Sequence, residues 1–487
     1  MTAALAGVLA YLALGVAGLL GAGRVTALLA ILGSLVSLAL WAPAFPPGLV
    51  GGDPWGITLA GDALALAFWC LAPLVHLVVW WHERYRSTTF HGLVTLLVGT
   101  CLATVLSRDL FNLYVLLDLG SLLSVVLIAF DLRSRAVWAA LRYLLLSALG
   151  MLLYLLGLGL VYGALGTLSL LEIAARSPSL ADPALAVGAS LLVVGAAVKA
   201  GVFLVGFWLP RAYGEAPVGV VTLLAGLAGK MGIVALTRLS EAFPVGPAVA
   251  LLGVVTGFGG LAYALWERDI MRFLAYHIIS QYGYMLVGLG LGEVAFLGGT
   301  YYTIAHCLFK GLLFYAAATG AERVGIREIP RLKEQLPRSS AWGLVIGTWS
   351  IVGLPPLAGF VSKEFLGTLV PPLYGWALTL LGVGTAASFA KLLPLLRPGP
   401  AQGQWRGVAL LGAGVLGFSA WGLVSLPGLL FPSTWGKAVL AVALGYGLYF
   451  LIRRFQVQLP LVKFEHICVT ALMMAGALAL AHLLGWL

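Results

Sequence analysis

The sequence predicts an all-α polytopic membrane protein. Of its 487 residues, 61% are hydrophobic and only 9% are charged, and the mean hydropathy is +1.03. Soluble domains carry about 25% charged residues, so a chain this poor in charge cannot cover a water-facing surface. Continuous apolar runs of about 20 residues fill nearly the whole chain, and each is long enough to span a bilayer as a helix. Because the runs do not alternate in polarity, helices are favoured over a β-barrel.

The apolar runs give about fourteen core transmembrane helices and about two further helices at the C-terminus. The first run is interpreted as a true span and not as a cleaved signal peptide, because many similar runs follow it. We divide the chain into N-terminal helices (1–84), a first five-helix block (85–240), a second block (245–397) and C-terminal helices (405–487). The predicted spans lie near 3–21, 25–43, 57–81, 88–106, 109–130, 137–162, 185–209, 218–239, 246–266, 270–291, 296–319, 341–361, 371–396, 407–428, 436–452 and 466–486.

Lys and Arg are distributed unequally among the connecting segments. Segments after odd-numbered spans hold most of them, and 320–340 is the most highly charged. The positive-inside rule therefore places the odd-numbered connections in the cytoplasm and both termini outside, in a cell membrane or in a thylakoid or other energy-converting membrane. The same bias explains the net charge of +10 without nucleic-acid binding. Segments after even-numbered spans contain only Arg108, Arg176, Arg238, Lys363 and Lys437.

The cysteines give no sign of a redox or metal centre. Cys70, Cys101, Cys307 and Cys468 all lie in apolar spans and form no CxxC or metal-ligand spacing. Disulfide, zinc and iron–sulfur roles are therefore not expected. The sequence has no Rossmann fingerprint and no haem motif either, so we expect no cofactor in this chain.

Charged side chains inside the apolar spans are the strongest functional signal in the sequence. Each costs about 3 kcal/mol on insertion scales, so a group of them indicates an ion or proton pathway. The alternative is that a charge snorkels to the headgroups or joins two helices, which suits Arg142 and Lys391 near predicted cytoplasmic helix ends. A membrane scaffold without transport would gain nothing from the insertion cost. The candidate residues of a proton pathway are Asp118, Lys199, Lys230, His306, Lys310 and Lys363, with His277 and Lys391 as weaker candidates.

Two spans carry proline and glycine near their centres, which predicts discontinuous helices. Pro210 follows Lys199. Pro355 and Pro356 precede Lys363. Proline removes a backbone donor and clashes with the preceding helical turn. Because half-helix ends within the membrane can face ions or water, each lysine is expected to lie beside a break.

Four polar positions recur after 159 to 164 residues, which predicts an internal repeat. Because each block contains five helices, the second block must cross the membrane in the opposite sense to the first, as in inverted-repeat transporters. The predicted pairs are Asp118 with His277, Lys199 with Lys363, Lys230 with Lys391, and Arg142 with His306.

Five segments of the chain resemble the antiporter-like subunit family. They are RDLFNLYVLLDLGSLLS, VKAGVFLVGFWLPRAYGEAPVGVVTLLAGLAGKMGIVALTR, RDIMRFLAYHIISQYGY, AHCLFKGLLF and GLPPLAGFVSKEF, within about residues 85–400. The family includes the large subunits of Mrp-type multisubunit sodium/proton antiporters and the proton-pumping membrane subunits of respiratory complex I. Membrane-bound hydrogenases contain related subunits. The segments containing DLFNLYV and AYHIISQYGY look most similar to the Mrp D-type subunit.

The resemblance implies a role for each matched residue. The acidic residue of the family's fifth span corresponds to Asp118, and the lysines of its seventh and eighth spans correspond to Lys199 and Lys230. The family usually has Glu at the Asp118 position, so the shorter carboxylate is expected to leave a gap to Lys199 that water can bridge. The functional residues of the eleventh and twelfth spans correspond to His306, Lys310 and Lys363.

The predicted function is proton translocation by one subunit of a multisubunit complex in the lipid bilayer. Opening of an Asp118–Lys199 ion pair would gate a proton relay towards Lys363. The main interpretation is a cation/proton antiporter of the Mrp type, with Na+ bound elsewhere in the complex because few carboxylates lie at depth in this chain. Two alternatives remain open. One is a redox-driven enzyme of the NADH dehydrogenase or hydrogenase kind, whose redox centres lie in other subunits. The other is a proton-coupled inorganic-carbon uptake complex with a zinc-containing partner.

Overall fold

Helices account for nearly all of the fold. The computed structural model describes residues 2–40, 48–50, 56–397, 399, 403–455 and 464–484. The helices of this part of the chain are α1 (Thr2–Ala17), α2 (Gly23–Ala39), α3 (Ala63–His82), α4 (Thr88–Leu106), α5 (Leu110–Ile128), α6 (Ser134–Leu165), α7 (Leu170–Arg176), α8 (Pro183–Ala200), α9 (Leu209–Glu215), α10 (Val218–Gly226), α11 (Met231–Ala242), α12 (Gly246–Trp266), α13 (Ile270–Leu291), α14 (Glu293–Val324), α15 (Arg338–Val352), α16 (Ala358–Leu369), α17 (Pro372–Phe389), α18 (Trp405–Ser425), α19 (Pro432–Ile452) and α20 (Phe464–Leu483).

Thirteen helical stretches of the described residues are long and apolar enough to cross a membrane. The first, Ala4–Ala39, contains two successive spans, α1 and α2, joined by a π-helical turn at Gly18–Ala22. The helix α13 and the shorter pair α15 and α16 occupy two further predicted spans. The predicted all-α polytopic membrane fold is therefore confirmed. Two predicted spans end in residues 41–43 and 485–486, which lie outside the described part of the chain.

A short β-hairpin lies between α2 and α3. Its strands, β1 (Gly48–Val50) and β2 (Ile57–Leu59), pair antiparallel, so the prediction that a span begins at residue 57 is wrong. The span begins at Ala63 instead. There the Asp62 side chain accepts a hydrogen bond from the Ala65 amide at 2.8 Å, which caps the first turn of α3.

Both predicted helix breaks are present, and each lies near a lysine. Lys199 lies in the last turn of α8, and Gly201 ends that helix with a φ of 76°. Gly353 likewise ends α15 with a φ of 88°, and Lys363 lies in α16 beyond the break. Both glycines adopt the left-handed conformation that residues with a Cβ disfavour, so they set where the helices end.

A third break, which the sequence analysis missed, separates α10 from α11. Leu227 leaves the helix with a φ of −146° and a ψ of −72°, and Ala228–Lys230 form a single 3-10 turn before α11. No proline marks this break, and the sequence signal is the nearby glycines Gly229 and Gly232. Gly232 lets α11 approach α8 closely, because a Cβ there would lie 2.2 Å from the Ala200 amide nitrogen.

The two five-helix blocks have matching elements. The helices α6 and α14 are both 32 residues long, and they end at the left-handed glycines Gly166 and Gly325. The amide of Leu110, at the start of α5, donates to the Leu168 carbonyl at 2.9 Å. The amide of Ile270, at the start of α13, makes the matching bond to the segment after α14, also at 2.9 Å. These features support the repeat, while the limits chosen for the blocks remain a proposal.

The helix ends change one predicted pair of positions. With α6 and α14 aligned end to end, His306 corresponds to Ser147, and Arg142 corresponds to Tyr301. The prediction that Arg142 corresponds to His306 is therefore wrong, because polar character alone does not define the register of two helices. Lys199 and Lys363 do not occupy equivalent positions in the two blocks, since Lys199 precedes its break and Lys363 follows its own.

Connections that follow even-numbered spans meet at one face of the bundle, where an ion network joins them. Arg238, which is fully buried, donates to Asp62 Oδ2 at 2.6 Å and to Glu241 Oε1 at 2.8 Å. Arg108 donates to the same Asp62 oxygen at 2.9 Å. This Arg238 network (Asp62, Arg108, Arg238 and Glu241) ties the start of α3 to the end of α4 and to α11.

The two C-terminal helices pack on the chain itself. The helix α19 lies against α17, and α20 lies against α8 and against the turn Phe203–Val205 beside the first break. The buried residues of α20 include Ala471, Ala475 and Ala479, which are spaced by four and so lie on one helix face. Small residues at this spacing allow two helices in a membrane to approach closely.

Replacing Arg238 by Ala should destabilise the fold by about 3 kcal/mol, because Asp62 and Glu241 lose a buried counter-charge. Thermal unfolding of the purified protein in detergent measures the effect. Arg176→Ala is the matched control, because Arg176 lies 3.6 Å from Glu172 in an exposed pair that contributes about 0–1 kcal/mol. Equal losses in the two variants would contradict a structural role for the Arg238 network.

Candidate functional site

Lys199 lies in a polar cluster at the first helix break. Its side chain is 2% exposed, and its Nζ lies 3.6 Å from Asp118 Oδ1. That distance is within the range of an ion pair but is longer than a direct hydrogen bond. The ammonium donates instead to the hydroxyls of Ser121 and Ser147. The long contact agrees with the expectation for the shorter carboxylate, and two serine hydroxyls share the ammonium.

Aromatic side chains hold the chain in place where α8 ends. The indole Nε1 of Trp208 donates to the Val198 carbonyl at 3.1 Å. Carbonyls in the last turn of a helix lack partners within the helix, so this bond satisfies one of them. The ring of Tyr143 stacks on Trp208 with 4.0 Å between centroids, and its hydroxyl donates to Ser121 at 3.3 Å. The surroundings of Lys199 are therefore fixed by α5, α6 and the break.

Lys230 lies at the third break, inside the bundle. Its side chain is fully buried, and its Nζ donates to the Ala225 carbonyl at the end of α10. Tyrosines satisfy other carbonyls that this break leaves without helical partners. The hydroxyl of Tyr282 donates to Gly229 O at 2.6 Å, and that of Tyr213 donates to a second carbonyl of α10 at 3.3 Å. The sequence predicted the lysine but neither the break nor the tyrosines.

A small cavity connects the surroundings of Lys199 with those of Lys230. Its volume is about 30 Å³, which is room for about two water molecules. Lys199 and Ser121 line one part of it, and Gly229 and Met231, which flank Lys230, line another. Because hydroxyl and ammonium groups line it, the cavity is suited to hold water beside Lys199, and it reaches the residues on either side of Lys230.

His306 and Lys310 follow on one face of α14, one turn apart and fully buried. His306 interacts electrostatically with both Lys230 and Lys310. Its ring nitrogens have no hydrogen-bond partner among the described residues, and its ring centroid lies 6.0 Å from that of Tyr282. Lys310 Nζ donates to Leu274 O at 2.9 Å. The imidazole is therefore within electrostatic range of two buried lysines.

His277 on α13 is fully buried within the second block. Its Nε2 lies 2.6 Å from the hydroxyl oxygen of Ser388 on α17. It interacts electrostatically with Lys310, Lys391 and Lys363. Three of the predicted lysines are thus within electrostatic range of this histidine, which makes it a stronger candidate than its sequence context alone indicates.

Lys363 reaches back across the second break. Although it lies in α16, its Nζ donates to the Ile351 carbonyl of α15 at 2.7 Å. Pro355, four residues after Ile351, has no amide hydrogen to donate to that carbonyl. The ammonium also lies 5.1 Å above the ring of Tyr284. Lys199 therefore reaches the first break from the helix that precedes it, whereas Lys363 reaches the second break from the helix that follows it.

Lys391 differs from Lys230, Lys310 and Lys363, which each donate to one backbone carbonyl, because three carbonyls accept hydrogen bonds from its ammonium. Its Nζ donates to Ala264 O at 2.7 Å, to Leu265 O at 2.9 Å and to Glu267 O at 3.0 Å. These carbonyls end α12, where a cation satisfies unpaired acceptors and opposes the helix dipole. Of the two possibilities open for Lys391 from sequence, a charge that joins two helices fits this geometry better than a proton carrier.

The structure adds polar groups that sequence reasoning missed. Besides the serines and tyrosines at the breaks, Tyr302 on α14 donates to Gln281 Oε1 on α13. Gln281 Nε2 donates in turn to Thr385 Oγ1 on α17 at 3.3 Å. Hydroxyl side chains are common in transmembrane spans because they can bond to their own helix, so nothing in the sequence singles these out.

A wide pocket opens where connections after odd-numbered spans meet. Its volume is about 690 Å³, and charged side chains of both signs line it. Arg327 and Glu215, which line the pocket, lie 3.4 Å apart across it. Beside it, the guanidinium groups of Arg86 and Arg133 hold the pKa of the Asp131 carboxyl below its usual range. This odd-side pocket is polar enough for water to reach the ends of the surrounding helices.

Comparison with known proteins identifies the family. Residues 107–388 match the family described as NADH:quinone oxidoreductase/Mrp antiporter, TM. The chain belongs to this family. The matched region contains every predicted pathway residue except Lys391, and it ends before α18, α19 and α20. The resemblance expected from the five sequence segments is confirmed.

Individual relatives of the family have two kinds of name. The chain is 34% identical over 365 residues to NADH-quinone oxidoreductase subunit N of Desulforudis audaxviator, covering 68% of this chain and 72% of that protein. It is 31% identical over 360 residues to the D-type subunit of the Na(+)/H(+) antiporter of Alkalihalophilus pseudofirmus, covering 70% and 72%. A chain of the Mrp complex from Dietzia sp. has the same fold, with a TM-score of 0.70 and 23% identity, over 99% of this chain and 56% of that one.

Replacing Lys391 by Ala should loosen the last turn of α12, because three carbonyls lose their shared donor. Loss of about 1 kcal/mol of local stability corresponds to roughly fivefold faster amide exchange there. Hydrogen–deuterium exchange followed by mass spectrometry measures this in residues 263–268. Lys333→Ala, which removes an exposed lysine beside Glu334, should leave exchange in α12 unchanged. Unaltered exchange in the Lys391 variant would rule out the capping role.

Proposed function

We propose that this chain is a proton-translocating, antiporter-like subunit of a multisubunit membrane complex. The observation that carries the proposal is the buried Lys199 ammonium, which lies beside a carboxylate and two hydroxyls at a helix break. A small cavity extends from it to Gly229 and Met231, the two residues that flank the second buried lysine, Lys230. Burying several ammonium groups in a membrane bundle costs free energy that brings no advantage to a scaffold, whereas a proton relay requires such groups.

The Asp118–Lys199 pair acts as the gate of this relay. A nearby carboxylate stabilises the charged form of a buried amine, and its withdrawal leaves the ammonium without a counter-charge. The proton then leaves Lys199 through the cavity to Lys230. From there His306 passes it to Lys310, because its imidazole is within electrostatic range of both amines and its ring nitrogens have no hydrogen-bond partner within the described bundle.

The second half of the relay runs through His277 to Lys363. His277 is within electrostatic range of Lys310 and Lys363, and it has a hydroxyl partner in Ser388 that can share a proton. Lys391 is left out of this route because all three of its N–H donors are held by the carbonyls that end α12, whereas Lys230, Lys310 and Lys363 each donate to a single carbonyl. Protons enter from the odd-side pocket and leave beyond Lys363.

The direction of this route depends on the orientation of the chain. We place the odd-numbered connections in the cytoplasm and both termini outside, in the plasma membrane of the cell, with a thylakoid or other energy-converting membrane as the alternative. The basic residues follow this rule, and the odd-numbered and even-numbered connections gather at separate places in the fold.

Asp118 also indicates a neighbouring membrane subunit. Its side chain is 39% exposed near the centre of α5. The open surface of the same helix carries large apolar side chains, among them Phe111, Val115 and Leu122. A carboxylate that faces lipid is costly, so a protein neighbour is expected to cover it. Movement of that neighbour is the natural means of drawing Asp118 away from Lys199.

Two parent complexes are supported by relatives. An Mrp-type cation/proton antiporter is the main candidate, because this chain resembles a D-type subunit of a Na(+)/H(+) antiporter. A redox-driven complex is the second, because it also resembles an NADH-quinone oxidoreductase subunit N. Affinity purification of the tagged chain from its native membranes separates them: small hydrophobic subunits alone favour the antiporter, whereas iron–sulfur proteins favour the redox complex. A co-purifying zinc protein would instead favour inorganic-carbon uptake.

Lys199→Ala should abolish proton movement, because the gate loses its titratable group. The measurement is proton flux in inverted membrane vesicles that contain the whole complex, followed with a pH-sensitive dye. Lys333→Ala is the control, since that lysine is exposed on a connecting segment. Normal flux in the Lys199 variant, with normal assembly, would reject the proposed relay.

The double variant Ser121→Ala/Ser147→Ala should slow flux by about tenfold, because the ammonium loses both hydroxyl acceptors and hydrogen bonds to charged groups contribute about 1.5–3 kcal/mol each. Ser124→Ala is the matched control, because that hydroxyl bonds to its own helix at Gly120 O, 2.7 Å away. A double variant as active as the Ser124 control would show that the serines do not take part.

A further inference from the structure

Two charged residues interact next to Lys363. One is a carboxylate on the same helix, and the other is a lysine from outside the matched family region. Glu364, the next residue of α16, is partly buried and interacts electrostatically with both Lys363 and Lys437. Lys437 belongs to the first turns of α19, well after residue 388, where the family match ends. The proposed relay uses neither residue.

Side-chain contacts join α16 to the first turns of α19, which carry Lys437. The rings of Phe360 and Trp435 meet edge to face with 6.2 Å between centroids. The indole of Trp435 donates to the Leu429 carbonyl at 2.9 Å, which holds the start of α19. Phe360 and Glu364 are one turn apart, so the face of α16 that meets α19 is the face that carries the carboxylate. Ala438, beside Lys437, is buried in the same contact.

We infer that Glu364 takes the proton from Lys363 and that Lys437 is a positioning residue for its release. In this step an N–H bond of the Lys363 ammonium breaks and an O–H bond forms on the Glu364 carboxylate. The carboxylic acid then gives the proton to water at the even-numbered side. The inference rests on the proposed function and adds a release site to it.

Lys437 gives this step a direction. Its positive charge stabilises the carboxylate that remains after release, and it opposes the return of positive charge towards Lys363. Because Lys437 is exposed, water and salt weaken the interaction, so a modest effect on rate is expected and not a complete loss. A lysine that served only to pack α19 would do so through its methylene stem, which Arg keeps nearly whole and Gln keeps only in part.

The test is proton flux by the whole complex in inverted vesicles, normalised to the amount of assembled chain. Lys437→Gln should slow flux about three- to fivefold, and Lys437→Arg, which keeps the charge, should restore nearly all of it. Glu364→Gln should also slow flux, and the double variant should be no slower than Glu364→Gln alone, because the two residues act in one step. Arg453→Gln removes a charge at the opposite end of α19 and should leave flux unchanged.

Two outcomes would overturn the inference. Flux in Lys437→Gln equal to wild type would show that the charge has no role in release, and an Arg variant as slow as the Gln variant would show that only packing is affected. Lys363→Ala separates this result from the proposed function. If that variant is inactive while Lys437→Gln is normal, the relay stands without this release site, whereas an active Lys363→Ala variant would reject the relay itself.

Discussion

The structure depends on hydrogen bonds between buried ammonium groups and backbone carbonyls that broken helices leave without partners. In a membrane each such carbonyl must be satisfied within the protein, and a buried lysine must find acceptors for its donors. At the third break Lys230 bonds to Ala225 O, and at the second break Lys363 bonds to Ile351 O. Each hydrogen bond satisfies both a buried ammonium and an unpaired carbonyl, so neither the lysine nor the break would be stable in this bundle without the other.

The buried ammonium groups also differ in the acceptors that surround them. A carbonyl orients an amine but does not take its proton at neutral pH, whereas a hydroxyl, a carboxylate or an imidazole can share or accept one. Lys199 has a carboxylate and two hydroxyls as partners, whereas Lys230, Lys310 and Lys363 each donate to one carbonyl. Lys391 donates to three carbonyls at the end of one helix. Lysines that look alike within apolar spans therefore have different surroundings, and Lys199 is the one whose partners can share a proton directly.

Sequence reasoning predicted the features that depend on composition and on proline. Long apolar runs give the spans, Pro355 marks one break, and a charge within an apolar run is visible in any single sequence. Contacts between helices could not be predicted from the sequence. The hydrogen bond from Lys199 to Ser147, for example, joins residues 52 positions apart. The break before Lys230 is marked in the sequence only by nearby glycines, of which Gly232 packs closely against α8, and glycine is common in spans for many reasons. The mistaken pairing of Arg142 with His306 has the same origin, because register is set by helix ends and not by residue type.

The C-terminal helices show why breaks need support from outside the repeat. An interrupted helix loses main-chain hydrogen bonds and has fewer side-chain contacts where the chain is not helical, so its ends are the weakest part of a block. Here α20 packs beside the first break, against α8 and the turn Phe203–Val205, and α19 packs on α16 near the second through Phe360 and Trp435. Each broken region thus gains a continuous helix as a neighbour. That neighbour supplies side-chain contacts that the interrupted chain cannot make with itself, and it lies beside the turns that hold Lys199 and Lys363.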